Sequence, residues 1–475
     1  MRINPHIFRG YDLRGLVNKD LNPLIAEHLG RAFGTYLKKK NIDKVVVGRD
    51  CRATSAAYSA SLIKGLRATG IDVIDIGLNM VGTFYWAQYY LDCPGGVFVT
   101  ASHNPAEYNG FKFADGFSQT LVADGMQALR ELVENENYDF SPKPGWVSRQ
   151  DIKSAYFTDL LKRFSFKKKF KVVVDASCAT PGVVVPDLLR QGGQEVIASN
   201  CQINPSFPLG TPDPTEMAVA ERLRQKVLAA KADIGFSYDA DGDRIGVVDE
   251  GGNIIWNDIL VALFAADVLK HHPGATIMFN TLCSRVVTET ILKHGGKPFM
   301  WRTGHSFLKK KNQEVKAAFI GELSGHFFFS QDFYNHDDGC YSTLRLLDYL
   351  ADSGQSLATA VKALPQYISS PEIKVGCADD LKAALIAKAA KIMEKDFPQA
   401  EVIADERAGD GVRLEMTDAM LVIRYSQNGP YLTVKFETKT EGHYQELRQY
   451  LNKRLHRFPE IDWRSGVNVE SLAEK

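Results

Sequence analysis

At 475 residues the chain is too long for one ordinary hydrophobic core, and about three or four domains are expected. Lysine plus arginine and aspartate plus glutamate both total 57, so no global field favours nucleic acid or an anionic membrane, and ordinary apolar and charged fractions exclude disordered and fibrous classes. Seven scattered cysteines without a C-x-x-C pair exclude a disulfide framework and a zinc site, and fit a reducing cytoplasm. No apolar leader follows Met1, and the most apolar long run, 254–269, is interrupted by Asn257 and Asp258, so no secretion signal or membrane span is expected.

Apolar residues at helical spacing predict helices over 24–39, 54–69 and 216–230. Short β-branched runs predict strands at 44–48, 73–77, 97–100, 171–175, 234–237, 277–280 and 319–321. This alternation argues for α/β layers with partly parallel sheets. Beyond Pro371 the pattern changes to a helix followed by strands near 419–426 and 431–437, which reads as α+β. Proline-bearing or glycine-rich breaks at 141–148, 249–252 and 369–371 set the expected domains at 1–147, 148–252, 253–368 and 369–475.

Thr100-Ala101-Ser102-His103-Asn104-Pro105 leaves the strand predicted at 97–100, and places a hydroxyl beside an imidazole at a strand exit. Asn104 as N-cap, Pro105 in the first turn and Glu107 three residues after Asn104 predict a helix start whose free N–H groups would favour a phosphate. A second loop, Tyr238-Asp239-Ala240-Asp241-Gly242-Asp243-Arg244, holds three alternate carboxylates between two strand-like runs. That is a compact set of hard oxygen ligands suited to Mg²⁺. An EF-hand is excluded because Arg244 stands where that loop needs glycine and strands flank the loop where helices should. Gly321-Glu322-Leu323-Ser324-Gly325-His326 offers a carboxylate, a hydroxyl and an imidazole that could hold vicinal sugar hydroxyls. Arg424-Tyr425-Ser426-Gln427-Asn428-Gly429-Pro430 offers a guanidinium, a hydroxyl and amides that match a phosphate dianion.

In this order the four loops resemble those of the α-D-phosphohexomutase superfamily, most closely its phosphomannomutase/phosphoglucomutase branch. The resemblance includes the phosphoserine loop T-A-S-H-N-P at 100–105, the metal loop D-x-D-G-D-R at 239–244 and the sugar loop G-E-x-S-G-H at 321–326. Phe8-Arg9-Gly10-Tyr11-Asp12-Leu13-Arg14-Gly15 resembles its amino-terminal segment, and Arg302-Thr303-Gly304-His305-Ser306 resembles its T-G-H segment.

The resemblance implies a heart-shaped protein of three α/β mixed-sheet domains and a C-terminal α+β domain. It implies a phosphohexomutase that interconverts hexose 1-phosphate and hexose 6-phosphate, with mannose and possibly glucose as the sugar, through a phosphoserine and a hexose 1,6-bisphosphate. Ser102 would carry the phosphoryl group, and with Asp239, Asp241 and Asp243 hold one Mg²⁺. His103, Lys112 and Arg244 would share catalysis, with Lys112 as acid/base participant, its pKa tuned by clustered positive charge. Tyr11, Arg14, His305, Glu322, Ser324, His326, Arg424, Ser426, Gln427 and Asn428 would bind the phosphosugar. A cytoplasmic monomer or homodimer is expected, without nucleic-acid or membrane partners. Phosphoglucosamine mutase and a non-catalytic phosphosugar-binding protein are the alternatives. Departures from the family pattern fall at Gln427-Asn428, at Leu282 in place of a lysine, at 79–83 and at 175–178.

Overall fold

Runs such as Val45-Val46-Val47 and Val97-Phe98-Val99 are apolar at successive positions, so strands made from them need cover on both faces. In the computed structural model, which describes residues 3–426 and 429–472, they lie at the middle of a six-stranded sheet. Its elements are β1 (Leu13–Leu16), α1 (Pro23–Lys38), β2 (Lys44–Arg49), α2 (Ser55–Ala68), β3 (Asp72–Leu78), α3 (Val81–Tyr90), β4 (Gly95–Val99), β5 (Tyr108–Asp115), α4 (Asp124–Asn135) and β6 (Val147–Arg149). The strand order is β1-β5-β4-β2-β3-β6, with β4, β2, β3 and β6 parallel and β5 antiparallel to β4 and β1. Leu29, Phe33, Leu62 and Leu66 of α1 and α2 pack with Val45, Val97 and Phe113. On the other face Phe84 of α3 meets Phe98 at 5.4 Å between ring centroids.

The next sheet is built from α5 (Lys153–Leu161), β7 (Lys171–Asp175), α6 (Val185–Gln191), β8 (Glu195–Ser199), α7 (Met217–Ala230), β9 (Ile234–Tyr238), β10 (Ile245–Asp249) and β11 (Ile254–Ile255). Its order is β11-β10-β9-β7-β8, with β7 parallel to β8 and β9, and β9 antiparallel to β10. These two sheets and the helix Gly339–Ser353 belong to one compact unit, residues 1–257 with 324–360.

A second unit comprises residues 258–323 and 361–475. It contains parallel strands Lys297–Trp301, Thr276–Asn280 and Phe319–Gly321, and an antiparallel sheet that includes Gly411–Glu415, Ala419–Tyr425, Tyr431–Thr438 and Ile373–Cys377. Within this unit a buried Lys435–Asp258 ion pair of 2.7 Å and Arg413, which donates to the carbonyls of Thr281 and Cys283 at 2.6 and 2.7 Å, tie the sheets together. The chain is therefore mixed α/β with an α+β carboxyl-terminal part, as the sequence pattern implied. Among the described residues no helix is long and apolar enough to cross a membrane.

The helix start expected at Asn104 does not form. Residues 101–107 are turns, and the chain re-enters the sheet as β5. The capping box lost because its main-chain carbonyls bond side chains from elsewhere in the unit, a tertiary demand that overrides local capping preference. Helix α3 carried no periodic signal because residues 81–88 are buried all round, leaving no polar stripe.

Candidate active site

Strand β2 is followed in the sheet by β3 on one side and β4 on the other, so the order reverses between β2 and β4. At such a point the carboxyl ends of the strands open a crevice, and Ser102 lies just beyond the end of β4. Ser102 has φ +47°, a left-handed conformation disfavoured for any residue with a Cβ. Its N–H donates to Thr100 Oγ1 at 2.8 Å, and Thr100 Oγ1 donates to Asp241 Oδ2 at 3.1 Å. The Ser102 hydroxyl donates to Asp239 Oδ2 at 2.8 Å and lies 3.2 Å from His103 Nδ1. Arg14 also reaches this loop, donating to the Ala101 carbonyl at 3.2 Å and to Asn104 Oδ1 at 2.5 Å while Asp12 accepts from its Nε at 2.8 Å. Tyr11 is buried next to this pair.

The acidic loop joins β9 to β10. Asp239 Oδ1 accepts the N–H groups of Gly242 and Arg244 at 3.0 and 3.2 Å, which closes the turn. Gly242 has φ +75°, and a Cβ there would sit 2.3 Å from the Met80 methyl, so the turn admits no side chain. Two helix starts grip the loop: Val81 of α3 donates its N–H to the Asp241 carbonyl at 2.9 Å, and Gly339 donates to the Gly242 carbonyl at 3.2 Å. A Cβ on Gly339 would lie 2.5 Å from that same carbonyl oxygen.

Asp239, Asp241 and Asp243 are buried, and each offers a carboxylate oxygen within 4.8 Å of the others. Burial, then the charges of Asp243 and Asp241, push the Asp239 carboxyl well above the usual carboxylate range. Asp243 is raised by burial and by Asp241. Asp241 goes the other way: burial would raise it, but Lys112 and Arg14 among its partners hold it low. Asp241 Oδ1 and Asp243 Oδ1 are buried without a hydrogen-bond donor. Crowded, partly unmatched carboxylate oxygens of this kind fit a divalent cation.

Lys112, on β5, reaches Asp243 Oδ2 at 2.7 Å and Asp241 Oδ2 at 3.1 Å. Burial would lower its pKa, but Asp241 and Asp243, with Tyr85 and Asp337, outweigh burial and hold the ammonium well above its ordinary range. The expected tuning by positive neighbours is therefore corrected: the neighbours are carboxylates, and they hold Lys112 as a cation. Arg244 sets its Nη2 on His103 Nδ1, with Nε 3.6 Å from Asp239 Oδ2 and Nη1 3.5 Å from Asp213 Oδ1. A guanidinium only donates, so His103 Nδ1 is an acceptor.

The last residues of the sugar loop, from Ser324 on, belong to the same unit as this centre. The backbone of His326 bridges that of Arg244, and His326 Nδ1 lies 2.6 Å from Asp337 Oδ2 and 3.8 Å from Asp243 Oδ1. Ser324 is half-buried in the same unit. Asp337 was not among the expected site residues. Asp337-Asp338 does precede a helix in sequence, but only the fold sets it against the imidazole.

The remaining expected residues lie in the second unit. Glu322 is buried and accepts the Gly304 N–H at 2.9 Å, which links the sugar loop to the Thr303-Gly304-His305 segment, where His305 starts a helix. Arg424 is buried at the end of its strand and held by Asp410, which accepts from Nε at 2.9 Å and from Nη2 at 2.5 Å. Burial opposes the charge of Arg424, but Asp410 outweighs it, so this guanidinium stays protonated throughout. Gln427 and Asn428 lie outside the described residues. Lys382, which was not foreseen from sequence, donates to the carbonyls of Ser426 and Gly429 at 2.6 and 2.9 Å.

Comparison with known proteins agrees with this architecture. Models of the family described as Phosphoglucomutase/phosphomannomutase match the chain over residues 5–139 (alpha/beta/alpha domain I), 154–252 (domain II) and 256–367 (domain III). A Phosphomannomutase/phosphoglucomutase of Pseudomonas putida is 38% identical over 96% of this chain and 96% of its own length. A Phosphoglucomutase of Neisseria gonorrhoeae is 32% identical over 97% of this chain and 99% of its own. The crystal structure of a Phosphoglucomutase/phosphomannomutase family protein from Burkholderia thailandensis superposes with a TM-score of 0.87 at 32% identity, covering 97% of this chain and 99% of that one. The class these features define is a multidomain α/β enzyme. More particularly, the chain belongs to the phosphoglucomutase/phosphomannomutase family of the α-D-phosphohexomutase superfamily.

Proposed function

We propose that the chain interconverts hexose 1-phosphate and hexose 6-phosphate, with mannose and glucose phosphates as substrates, through a phosphoserine at Ser102 and a hexose 1,6-bisphosphate. The observation that carries this reading is the Ser102 hydroxyl, 2.8 Å from Asp239 in the centre that also holds Lys112 against Asp241 and Asp243. Family membership supports it, as does the intact order of the four loops. The chain is read with domain boundaries at 147/148, 252/253 and 368/369.

In the first half-reaction a sugar hydroxyl attacks the phosphoryl group on Ser102. The bond from phosphorus to Oγ breaks, a bond to the sugar oxygen forms, and the sugar hydroxyl's proton is transferred, net, to the released Oγ by way of Lys112 or His326. Returning the other phosphate from the bisphosphate to Oγ restores the phosphoserine and completes an isomerisation with no net phosphate lost. Such transfer asks mainly for positioning and charge neutralisation. Asp239, Asp241 and Asp243, with an oxygen of the phosphoserine, would hold one Mg²⁺, which when bound neutralises charge on the transferring group. Lys112, Arg14 and Arg244 add positive charge, and Lys112 can return a proton to Oγ. His326, oriented by Asp337, is the second candidate for carrying a proton. Arg424 and Ser426 would take the phosphate that does not react, and Glu322, Ser324 and His305 the sugar.

Mannose 1-phosphate, glucose 1-phosphate and glucosamine 1-phosphate, assayed with Mg²⁺ and a bisphosphate activator, test the reading. The wild type is expected to turn over the first two. Ser102→Ala is expected to lose turnover by at least about 1,000-fold and to take no phosphate from the bisphosphate. Undiminished activity of that variant would sink the phosphoserine cycle.

A further inference from the structure

One guanidinium accounts for much of the shape of the Ser102 loop. Arg52, beyond the end of β2, is 3% exposed. Its Nη2 donates to the carbonyls of Ser102 and Asn104 at 2.6 and 2.5 Å, and its Nη1 to those of Pro105 and Tyr108 at 2.7 and 3.0 Å. Its Nε lies 3.2 Å from Asp50 Oδ2, and the guanidinium sits 5.1 Å from the centroid of the Phe207 ring. Asp50 is itself fixed, accepting the Ser55 hydroxyl at 2.5 Å and the Arg52 N–H at 3.0 Å.

A buried charge survives only when its hydrogen-bonding capacity is met, and here both ends of a planar fork are spent on main-chain carbonyls of a single loop. No lysine could do this, because an ammonium is a point charge with three donors and no fork. The peptide bonds are trans, so a carbonyl turned onto Arg52 directs the next N–H the opposite way. The Ser102 carbonyl therefore turns the His103 amide away from the clamp. With the Ser102 N–H held by Thr100 Oγ1 on one side and its carbonyl by Arg52 on the other, the residue keeps its left-handed φ of +47°, the conformation in which Oγ meets Asp239. Strain of that kind persists only where surrounding contacts over-determine it.

We propose that Arg52 is a positioning residue for phosphoryl transfer at Ser102, its four-carbonyl clamp holding the serine in the conformation that faces the acidic loop. The inference rests on the reading of Ser102 as phosphoryl carrier. Arg52 touches no reacting atom and acts through the backbone it holds. Its ring partner Phe207 and its carboxylate partner Asp50 belong to the same device.

The test is Arg52→Lys, which keeps the charge and loses the fork. The rate constant for phosphate transfer from glucose 1,6-bisphosphate to Ser102, followed by intact-protein mass, is expected to fall about 100-fold, with kcat falling in parallel and KM for glucose 1-phosphate within about twofold. Partial unfolding would lower the amplitude of phosphoserine formation and leave its rate constant alone, so the two causes separate. A wild-type rate constant in folded Arg52→Lys overturns the inference. Should that variant not fold, Phe207→Leu decides: loss of the ring under the guanidinium is expected to slow transfer about threefold, and an unchanged rate constant overturns the inference. Turnover in Ser102→Ala would remove the parent reading, whereas a dead Ser102→Ala beside a normal Arg52→Lys removes the clamp alone.

Discussion

The acidic centre of the first unit and the Arg424 loop of the second manage buried charge in opposite ways. Around Ser102, three carboxylates crowd together, two of their oxygens lack a donor, and two of the three are pushed above the ordinary carboxylate range by burial and by each other. Around Arg424 one guanidinium meets one carboxylate in a two-point pair, and Lys382 caps the neighbouring carbonyls. The first arrangement is left incomplete and invites a cation. The second is already balanced, and can receive an anion only through donors that Asp410 does not use. On the proposed roles, the metal site carries its frustration in the protein, whereas the phosphate site is held ready by internal pairing.

Variants that undo each arrangement sharpen this contrast. Asp241→Asn removes one proposed ligand and one of the two carboxylate partners of Lys112, and is expected to lower kcat roughly 100- to 1,000-fold and abolish Mg²⁺ binding in titration calorimetry. Asp239→Asn is expected to share that loss yet raise the melting temperature of EDTA-treated protein, because ionised Asp239 is the carboxylate its surroundings most disfavour. Equal melting temperatures for the two variants would break the picture of a frustrated centre.

In the second unit Arg424→Ala removes the two-point guanidinium partner of buried Asp410, a loss of about 3–5 kcal/mol expected in urea unfolding, with KM raised more than kcat is lowered. The helix Gly339–Ser353, which grips the acidic loop, supplies the next effect. Burial pushes its capping residue Asp338 up to about 6, against about 3.9 for an unfolded aspartate. Between those values the folded state binds more protons, so stability falls as pH rises from about 4 to about 6, by about 2–3 kcal/mol. Chemical denaturation of EDTA-treated protein across that range checks the sign, and Asp338→Asn is expected to flatten the profile. Smallest is Lys382→Met, expected to raise KM about threefold with kcat unchanged, since it frees the carbonyls of Ser426 and Gly429 and the exposed Asp379 carboxylate.

The two regions also differ in how well they can be read from sequence. Ser102 and the three aspartates stand out because their chemistry is local: a hydroxyl at a strand exit, and alternate carboxylates between apolar runs. Asp410 as partner of Arg424 was invisible, since nothing near either residue marks them as a pair until their strands align. Lys112 was singled out but given the wrong neighbours. No strand was expected around it, and β5 brings it onto Asp241 and Asp243, far along the chain. Asn104 and Pro105 were read by their capping preference, and lost to a guanidinium 52 residues before Asn104.

By itself the sequence determined the layers, because β-branched runs and helical spacing respond to burial within a few residues, and it determined which loops bear chemistry. Tertiary structure decided what each charged group faces. The left-handed Ser102, the cationic Lys112 held by carboxylates, the His326–Asp337 pair and the Arg52 clamp all arise where the fold brings distant segments together. Electrostatic energy depends on separation in space and on exclusion of water, and neither is written in the spacing of residues along the chain.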